Sequence, residues 1–183
     1  RPIVLERGSF RPVTKATHHM LQSSLAQFVR EPQVNEDDVT VLFEMTLKNL
    51  SHEGTIDPQD FLERVDMLAA VGEGLGEDHK VMVSNYAEFH KLAGYLFRYT
   101  KEPIGLALGV PTLREIFEEK CYADLEGGIL EACGRLFKND LRLYVYPTID
   151  PTDTVHNVGN LRLPDHLQGL YDYLVENRFI RSI

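Results

Sequence analysis

The sequence of 183 residues has no tryptophan and only two cysteines, Cys121 and Cys133. The cysteines form no CxxC pair and lie in segments with helical periodicity, so the sequence does not predict a disulfide framework. The low number of cysteines favours a reducing compartment, and we expect a cytoplasmic protein. The sequence also has no apolar run that approaches the ~18–20 residues of a membrane-spanning helix, so we expect no membrane span.

Basic residues are fewer than acidic ones. The chain has 19 Lys and Arg against 28 Asp and Glu, which gives a formal net charge of −9. A negative surface repels the phosphate backbone of a nucleic acid, and the sequence has no basic stripe that would offset this repulsion. We therefore expect no nucleic-acid partner, whereas a local basic pocket for a small phosphate is compatible with the composition.

The seven histidines do not have the spacing of metal ligands. His18 and His19 are adjacent, and adjacent side chains on a helix diverge by about 100°, so they cannot both bind one metal ion. The other histidines are scattered along the chain without ligand spacing. We predict no metal site, and the sequence does not identify a cofactor.

Short apolar segments alternate with helical segments along the whole chain. Five of these segments are predicted strands, at residues 3–5, 39–45, 80–84, 104–109 and 141–146. Connections long enough to contain a helix favour parallel pairing with helices on both faces. We predict an α/β fold, an open, mainly parallel sheet of about five strands that is Rossmann-like, in one domain over residues 1–183. Because Arg1 lies almost directly before a strand, we expect this domain to be part of a longer chain.

Three local segments give further predictions. Asp57 and Pro58 are typical of a helix start, with Asp57 as the N-cap. Asn85 is predicted to cap a helix over residues 86–99. Residues 72–78 contain three glycines and three acidic residues, and we predict a surface loop there, with an interdomain linker as the weaker alternative, because such a segment buries little apolar surface.

A glycine turn follows the first strand and precedes the first helix. Ligands of parallel sheets bind at the carboxyl ends of the strands, where backbone N–H groups and a helix N-terminus can bind a phosphate. The candidate phosphate-binding residues are Arg7, Gly8, Ser9, Arg11, Thr14 and Asn85. The other predicted strand ends supply Glu44, Ser84, Gly109 and Tyr146. The two arginines can hold a phosphate bidentately, or Gly8 only turns the chain and both arginines lie in solvent.

Residues 8–14, Gly-Ser-Phe-Arg-Pro-Val-Thr, carry a resemblance to a known family. They resemble the motif Gly-x-Phe-Asp-Pro-x-(His/Thr)-x-Gly-His of nicotinate-nucleotide and pantetheine-phosphate adenylyltransferases. Thr17 stands where that family has its catalytic histidine, and Arg11 stands in place of the aspartate. The resemblance implies a nucleotide-binding, nucleotidyltransferase-like domain, and these departures leave no catalytic residue to assign. The matching residues are Gly8, Phe10, Pro12 and Thr14.

A second resemblance extends over nearly the whole chain. It is to the C-terminal half of longer bacterial proteins that are often labelled nicotinate-nucleotide adenylyltransferase or TonB-dependent receptor. This resemblance implies that the chain is a domain of a longer protein, and it does not imply a particular reaction. The segments that carry it are residues 6–14, 83–86, 99–105, 125–131, 136–140 and 171–174.

The sequence leaves two classes of function open. The first is a nucleotide- or phosphometabolite-binding domain, a degenerate relative of the adenylyltransferases, with a nucleotide or phosphorylated small molecule as ligand. The second is a non-catalytic structural or interaction subunit of a larger assembly, with a protein or the missing N-terminal region as partner. The sequence does not establish an enzyme, since it identifies no acid or base. Apolar side chains that suit a protein contact are Tyr171, Tyr173, Phe179 and Ile180.

Overall fold

Strands and helices alternate along the chain in the computed structural model, which describes residues 1–52, 54–75 and 78–183. The strands in chain order are β1 (Ile3–Arg7), β2 (Thr40–Thr46), β3 (Ser51–His52), β4 (Thr55–Ile56), β5 (Asp78–Ser84), β6 (Ile104–Gly109), β7 (Arg142–Tyr146), β8 (Thr148–Ile149), β9 (Val155–His156) and β10 (Ile180–Ser182). The helices are α1 (Lys15–Phe28), α2 (Leu47–Leu50), α3 (Pro58–Leu75), α4 (Phe89–Leu96), α5 (Val110–Ile116), α6 (Gly128–Leu136) and α7 (Asp165–Glu176). Short 3-10 turns lie at Glu36–Asp38 and Glu119–Tyr122.

Six of the strands form one parallel sheet in the order β10-β7-β6-β1-β2-β5. The chain starts near the middle, adds β2 and β5 on one side, then crosses back to β6 and continues outward to β7 and β10. This is the strand order of doubly wound, Rossmann-like sheets, and it confirms the predicted α/β fold. The order reverses between β1 and β6, which pair from Ile3 with Ile104 to Glu6 with Ala107.

Helices cover both faces of the sheet. Side chains of a strand alternate between the faces, so Val4 belongs to an apolar cluster with α1, whereas Leu5 belongs to a cluster with α4, α5, α6 and α7. Strand β6 is buried almost throughout, as expected for an apolar strand that is covered on both faces. No helix of the described residues is long and apolar enough to cross a bilayer.

Residues 72–75 and Asp78 of the glycine-rich segment do not form the predicted loop. Helix α3 continues to Leu75 and strand β5 begins at Asp78, while Gly76 and Glu77 lie outside the described residues. Gly72 is buried, and a Cβ atom there would lie 2.2 Å from the ring of His79. The glycine therefore allows the helix to pack closely on the following strand, and it does not mark a turn.

Helix α4 begins later than the sequence predicts. It starts at Phe89, and Glu88 is its N-cap without a side-chain capping bond, so the prediction that Asn85 caps a helix from Tyr86 was wrong. Residues 85–87 form no regular secondary structure. The start of α3 is as predicted, because Asp57 Oδ1 accepts a hydrogen bond of 2.9 Å from the Gln59 amide.

The C-terminal segment adds a sixth strand that the sequence analysis missed. Strand β10 has only three residues, too few for a clear periodicity. Tyr171 and Ile180 are each 2% exposed in the core, so the expectation that they form a contact surface was wrong. The Tyr171 hydroxyl donates to the Val158 carbonyl at 2.7 Å, whereas Tyr173 is 57% exposed.

Gly105 allows α1 to approach the sheet. A Cβ atom at this position of β6 would lie 2.9 Å from the Tyr144 ring and 3.0 Å from the Phe28 ring. Those two buried rings pack edge to face, with centroids 6.1 Å apart. We expect Gly105→Ala to lower the free energy of unfolding by about 1–3 kcal/mol, since overpacking a closed core forces neighbouring side chains to move.

The matched control is Gly134→Ala on the exposed face of α6, where a Cβ atom would meet nothing within 4 Å. We expect this control to gain about 0.5–1 kcal/mol, because alanine restricts the unfolded chain more than glycine does. Urea denaturation of both variants measures the difference, and equal changes in the two would contradict the close approach at Gly105.

Candidate ligand-binding site

A cavity of about 510 Å³ opens at the carboxyl edge of the sheet, where the strand order reverses. Its wall is formed by the end of β1, helix α2, residues 87–89, the end of β6, helix α5 and the 3-10 turn that follows. The lining residues are Arg7, Gly8, Ser9, Lys48, Asn49, Ala87, Glu88, Phe89, Leu108, Thr112, Glu115, Ile116, Cys121 and Tyr122.

A buried carboxylate joins the ends of three neighbouring strands beside this cavity. Glu44 of β2 is fully buried, and it accepts hydrogen bonds from Arg7 of β1, with Oε2 at 2.5 Å from Nε and Oε1 at 3.3 Å from Nη2. The Ser84 hydroxyl at the end of β5 also donates to Glu44. The sequence placed all three residues at strand ends, and the structure brings them together.

Arg7 also orders the segment between β5 and α4. Its guanidinium donates to the carbonyl oxygens of Tyr86 at 2.8 Å and Ala87 at 2.7 Å, and its carbon lies 4.4 Å from the centroid of the Phe89 ring. With the two bonds to Glu44, the side chain makes four hydrogen bonds and is 12% exposed. Arg7 therefore lines the cavity mainly as a positioning residue whose charge is neutralised within the protein.

The loop after β1 turns around a buried aromatic ring. Phe10 has a φ of 49°, is 4% exposed and packs edge to face on Phe43, with centroids 5.8 Å apart. A Cβ atom at Gly8 would lie 2.9 Å from the Phe10 ring, and the Gly8 amide already donates to the Glu44 carbonyl at 3.1 Å. Glycine is required at position 8 because the Phe10 ring folds back over it.

The buried side chain of Arg64 fixes the position of this loop, and the sequence analysis did not identify this residue. The side chain is 2% exposed and pairs with Asp60, and its Nη1 donates to the carbonyls of Ser9 at 2.7 Å and Asn49 at 3.0 Å. A signal was present, since position 64 falls on the apolar stripe of α3, three residues after Phe61. A basic residue on a core-facing stripe needs buried acceptors.

The structure separates the predicted phosphate ligands into two groups. Arg7, Gly8 and Ser9 line the cavity, whereas Arg11, Thr14 and Asn85 lie outside its wall. Arg11 pairs with Asp60 at 3.2 Å. Thr14 caps α1, since its hydroxyl oxygen accepts the Thr17 amide at 3.2 Å.

Two residues on the cavity wall carry polar groups without a partner in the described part of the chain. Ser9 is exposed, and neither its amide nor its hydroxyl forms a hydrogen bond there. Lys48 of α2 is exposed and forms no ion pair within residues 1–52, 54–75 and 78–183. The opposite wall is apolar at Leu108 and Ile116 and carries the Glu115 carboxylate.

The two thiols differ in accessibility. Cys121 is partly exposed on the cavity wall, whereas Cys133 is buried in α6. Burial raises the pKa of the Cys133 thiol to about 11, which keeps it protonated at neutral pH and makes it a poor nucleophile.

Glu6 is a buried acid on the other face of β1. It is 1% exposed, and its Oε2 has no hydrogen-bond partner among the described residues. Alternation along the strand directs it away from Arg7, toward the cluster that contains Phe43. Burial raises the pKa of this carboxyl well above its usual range, so the group is stabilised in its neutral form. The predicted strand ends at residue 5, whereas β1 continues to Arg7, so the sequence pattern did not identify Glu6 as buried.

Glu6 makes stability fall as pH rises. Below the ordinary pKa of a glutamate, about 4.3, Glu6 is protonated in the folded and the unfolded chain. Above that ordinary pKa, the unfolded chain releases the proton of Glu6 while the folded chain retains it. The contribution of Glu6 to the free energy of unfolding therefore decreases as pH rises, until the pH exceeds the pKa of Glu6 in the folded chain. We expect Glu6→Gln, which cannot ionise, to gain stability relative to the wild type as pH increases.

Urea denaturation at mildly acidic and mildly alkaline pH measures this difference. The exposed carboxylate variant Glu126→Gln is the matched control, with which the change for Glu6→Gln is compared over the same interval. A constant difference for Glu6→Gln would show that Glu6 does not titrate abnormally.

Removal of the Glu44 charge should destabilise the strand ends. Glu44→Gln leaves the Arg7 guanidinium partly buried without an anionic partner, and we expect a loss of about 3–5 kcal/mol in the free energy of unfolding. In a double-mutant cycle with Arg7→Met, the two changes should couple by about 1–3 kcal/mol. Additive changes would contradict the ion pair as the connection between β1 and β2.

Comparison with known proteins adds no assignment to this geometry. No protein-family model matches the sequence, and no curated protein matches it either. The candidate site is therefore described by its geometry alone: a cavity at the reversal of the strand order, with Ser9 and Lys48 exposed on its wall and the Arg7–Glu44 pair beside it.

Proposed function

We propose that this chain binds a phosphorylated small molecule, such as a nucleotide, in the cavity at the carboxyl ends of β1 and β6. The observation that carries the proposal is the position of the cavity, at the point where the strand order reverses. Doubly wound sheets bind ligands at this point. The volume of about 510 Å³ falls within the ~300–1,000 Å³ of small-molecule sites.

The phosphate of the ligand lies against the loop after β1. Ser9 supplies an amide and a hydroxyl donor that have no partner in the described part of the chain, and Lys48 supplies an ammonium group. Hydrogen bonds from such donors to a charged oxygen are stronger than bonds between neutral groups. Arg7 contributes by fixing the wall, because its own donors are directed to Glu44 and to backbone carbonyls.

The uncharged part of the ligand lies against the opposite wall. Leu108, Phe89 and Ile116 provide apolar surface of the kind that a base or another flat ring buries. Glu115 and Thr112 provide oxygen atoms for the hydroxyl groups of a sugar. A ligand with an anionic end, a polar centre and an apolar end fits this distribution.

Binding, and not catalysis, is the function that the site supports. Thr17, which takes the place of the catalytic histidine in the adenylyltransferase motif, has its hydroxyl 3.0 Å from that of Thr14 and lies outside the cavity wall. The described wall contains no histidine, and its two carboxylates, Glu88 and Glu115, have no nucleophile bonded to them. We therefore propose a ligand-binding domain without the acid–base chemistry of the adenylyltransferases.

The thiol of Cys121 reports on occupancy of the cavity. We expect ATP, nicotinamide mononucleotide or NAD to slow the reaction of Cys121 with an aromatic disulfide, while buried Cys133 reacts slowly throughout. At a ligand concentration about 100 times Kd, the labelling rate should fall about 100-fold, and the ligand should add about 2.7 kcal/mol to the free energy of unfolding. Cys121→Ser identifies the labelled residue.

Lys48→Ala tests the phosphate contact. We expect it to weaken binding about tenfold, the effect of losing one charge-assisted contact of about 1.4 kcal/mol. The control is Lys101→Ala, an exposed lysine near the amino end of β6, at the opposite edge of the sheet. The proposal would be overturned if none of the three ligands slowed the labelling of Cys121, or if both lysine variants lost the same amount of ligand affinity.

A further inference from the structure

A second cavity lies between α4 and α6, on the helical layer that covers one face of the sheet. Its volume is about 380 Å³, and it shares no lining residue with the first cavity. Four basic residues reach its wall, although the whole chain carries a net charge of −9. They are Lys91, Arg98, Arg135 and Lys138.

Two of these cations are paired with acids that do not line the cavity. Lys91 pairs with Glu88 at 3.1 Å and with Asp124 at 3.9 Å, and Arg135 pairs with Glu131 at 2.5 Å. Arg135 is still 53% exposed, and Lys91 is 41% exposed. Their carboxylate partners therefore only partly neutralise the cavity wall.

The other two cations have no carboxylate partner in the described ranges. Arg98 follows the C-terminus of α4 and is exposed. The Lys138 ammonium lies 5.7 Å from the centroid of the Phe97 ring, a contact that leaves its positive charge uncompensated. The cavity consequently has an excess of positive charge.

His90 on the cavity wall is a second, independent observation that points to a ligand. It is 4% exposed, and neither of its ring nitrogens has a hydrogen-bond partner within the described residues. Leaving a buried polar group unbonded costs about 1–3 kcal/mol, and structural packing alone would be served better by an apolar ring. The imidazole can donate one N–H group to an anion in the cavity.

The surroundings of His90 favour its neutral form. Burial is the main cause that lowers the pKa of His90, and Lys91 and Arg135 add to the effect. The charges of Glu88 and Asp124 oppose it. A neutral imidazole retains one N–H donor and one acceptor nitrogen.

We propose that the cavity between α4 and α6 is a second binding site, and that it takes a small polyanion of the phosphate class, such as a diphosphate. Arg98 and Lys138 supply the uncompensated charge, Arg135 adds guanidinium donors at the rim, and His90 donates from the floor. This site does not depend on the proposed function of the first cavity, because none of its residues lies on that wall.

Calorimetric titration with inorganic pyrophosphate at low ionic strength tests the site. We expect the double variant Arg98→Gln/Lys138→Gln to bind about 100-fold more weakly than the wild type, at roughly tenfold for each cation removed. The charge-matched control is Arg30→Gln/Arg178→Gln, two exposed arginines outside both cavities. Absence of binding to the wild type, or equal weakening in the two double variants, would overturn the proposal.

His90→Phe separates binding from packing. The substitution keeps a ring against Tyr122, whose centroid is 5.5 Å away, and removes the two unbonded nitrogens. We expect the variant to be more stable to urea and to bind pyrophosphate about tenfold more weakly. A histidine with only a packing role would leave affinity unchanged. Pyrophosphate binding that is lost in Lys48→Ala and kept in Arg98→Gln/Lys138→Gln would belong to the first cavity and would overturn the second site, so the two sites are tested separately.

Discussion

The arrangement of this protein depends on one buried carboxylate. Glu44 is fully buried at the end of β2, and bonds from Arg7 and Ser84 fasten the neighbouring strand ends to it. A charge in that position is stable only because a guanidinium and a hydroxyl replace the water it has lost. Arg7 in turn bonds the carbonyls of Tyr86 and Ala87, so the same charge also sets the path of the chain into α4.

That path connects the two cavities. Ala87, Glu88 and Phe89 line the cavity at the strand ends, whereas Tyr86 and His90 line the one between α4 and α6. A segment of five residues therefore has one cavity on each side, and it has no regular secondary structure before α4 begins. Its shape is held from outside, by the Arg7 guanidinium and by the Ser84 hydroxyl oxygen that accepts the Tyr86 amide at 3.2 Å.

Local composition was sufficient to predict five of the six strands of the sheet and their alternation with helices, because each of those five buried strands is a short apolar run. It also placed Arg7, Gly8 and Ser9 at the edge where the cavity lies. The order of the strands could not be read in this way, since any right-handed parallel arrangement has the same local pattern. The prediction at Gly72 was wrong and Arg64 was missed for a related reason. The role of Gly72 depends on His79, and the role of Arg64 depends on the Ser9 and Asn49 carbonyls. Partners of that kind become neighbours only through the tertiary fold.

The charge distribution has a consequence for selectivity by size. A chain with a net charge of −9 repels a long polyanion, because most of a strand of nucleic acid would lie over its acidic surface. The proposed site between α4 and α6 would admit a small anion, which would meet four cations on one concave surface. Under that proposal the protein selects anions by their dimensions and not by their charge alone.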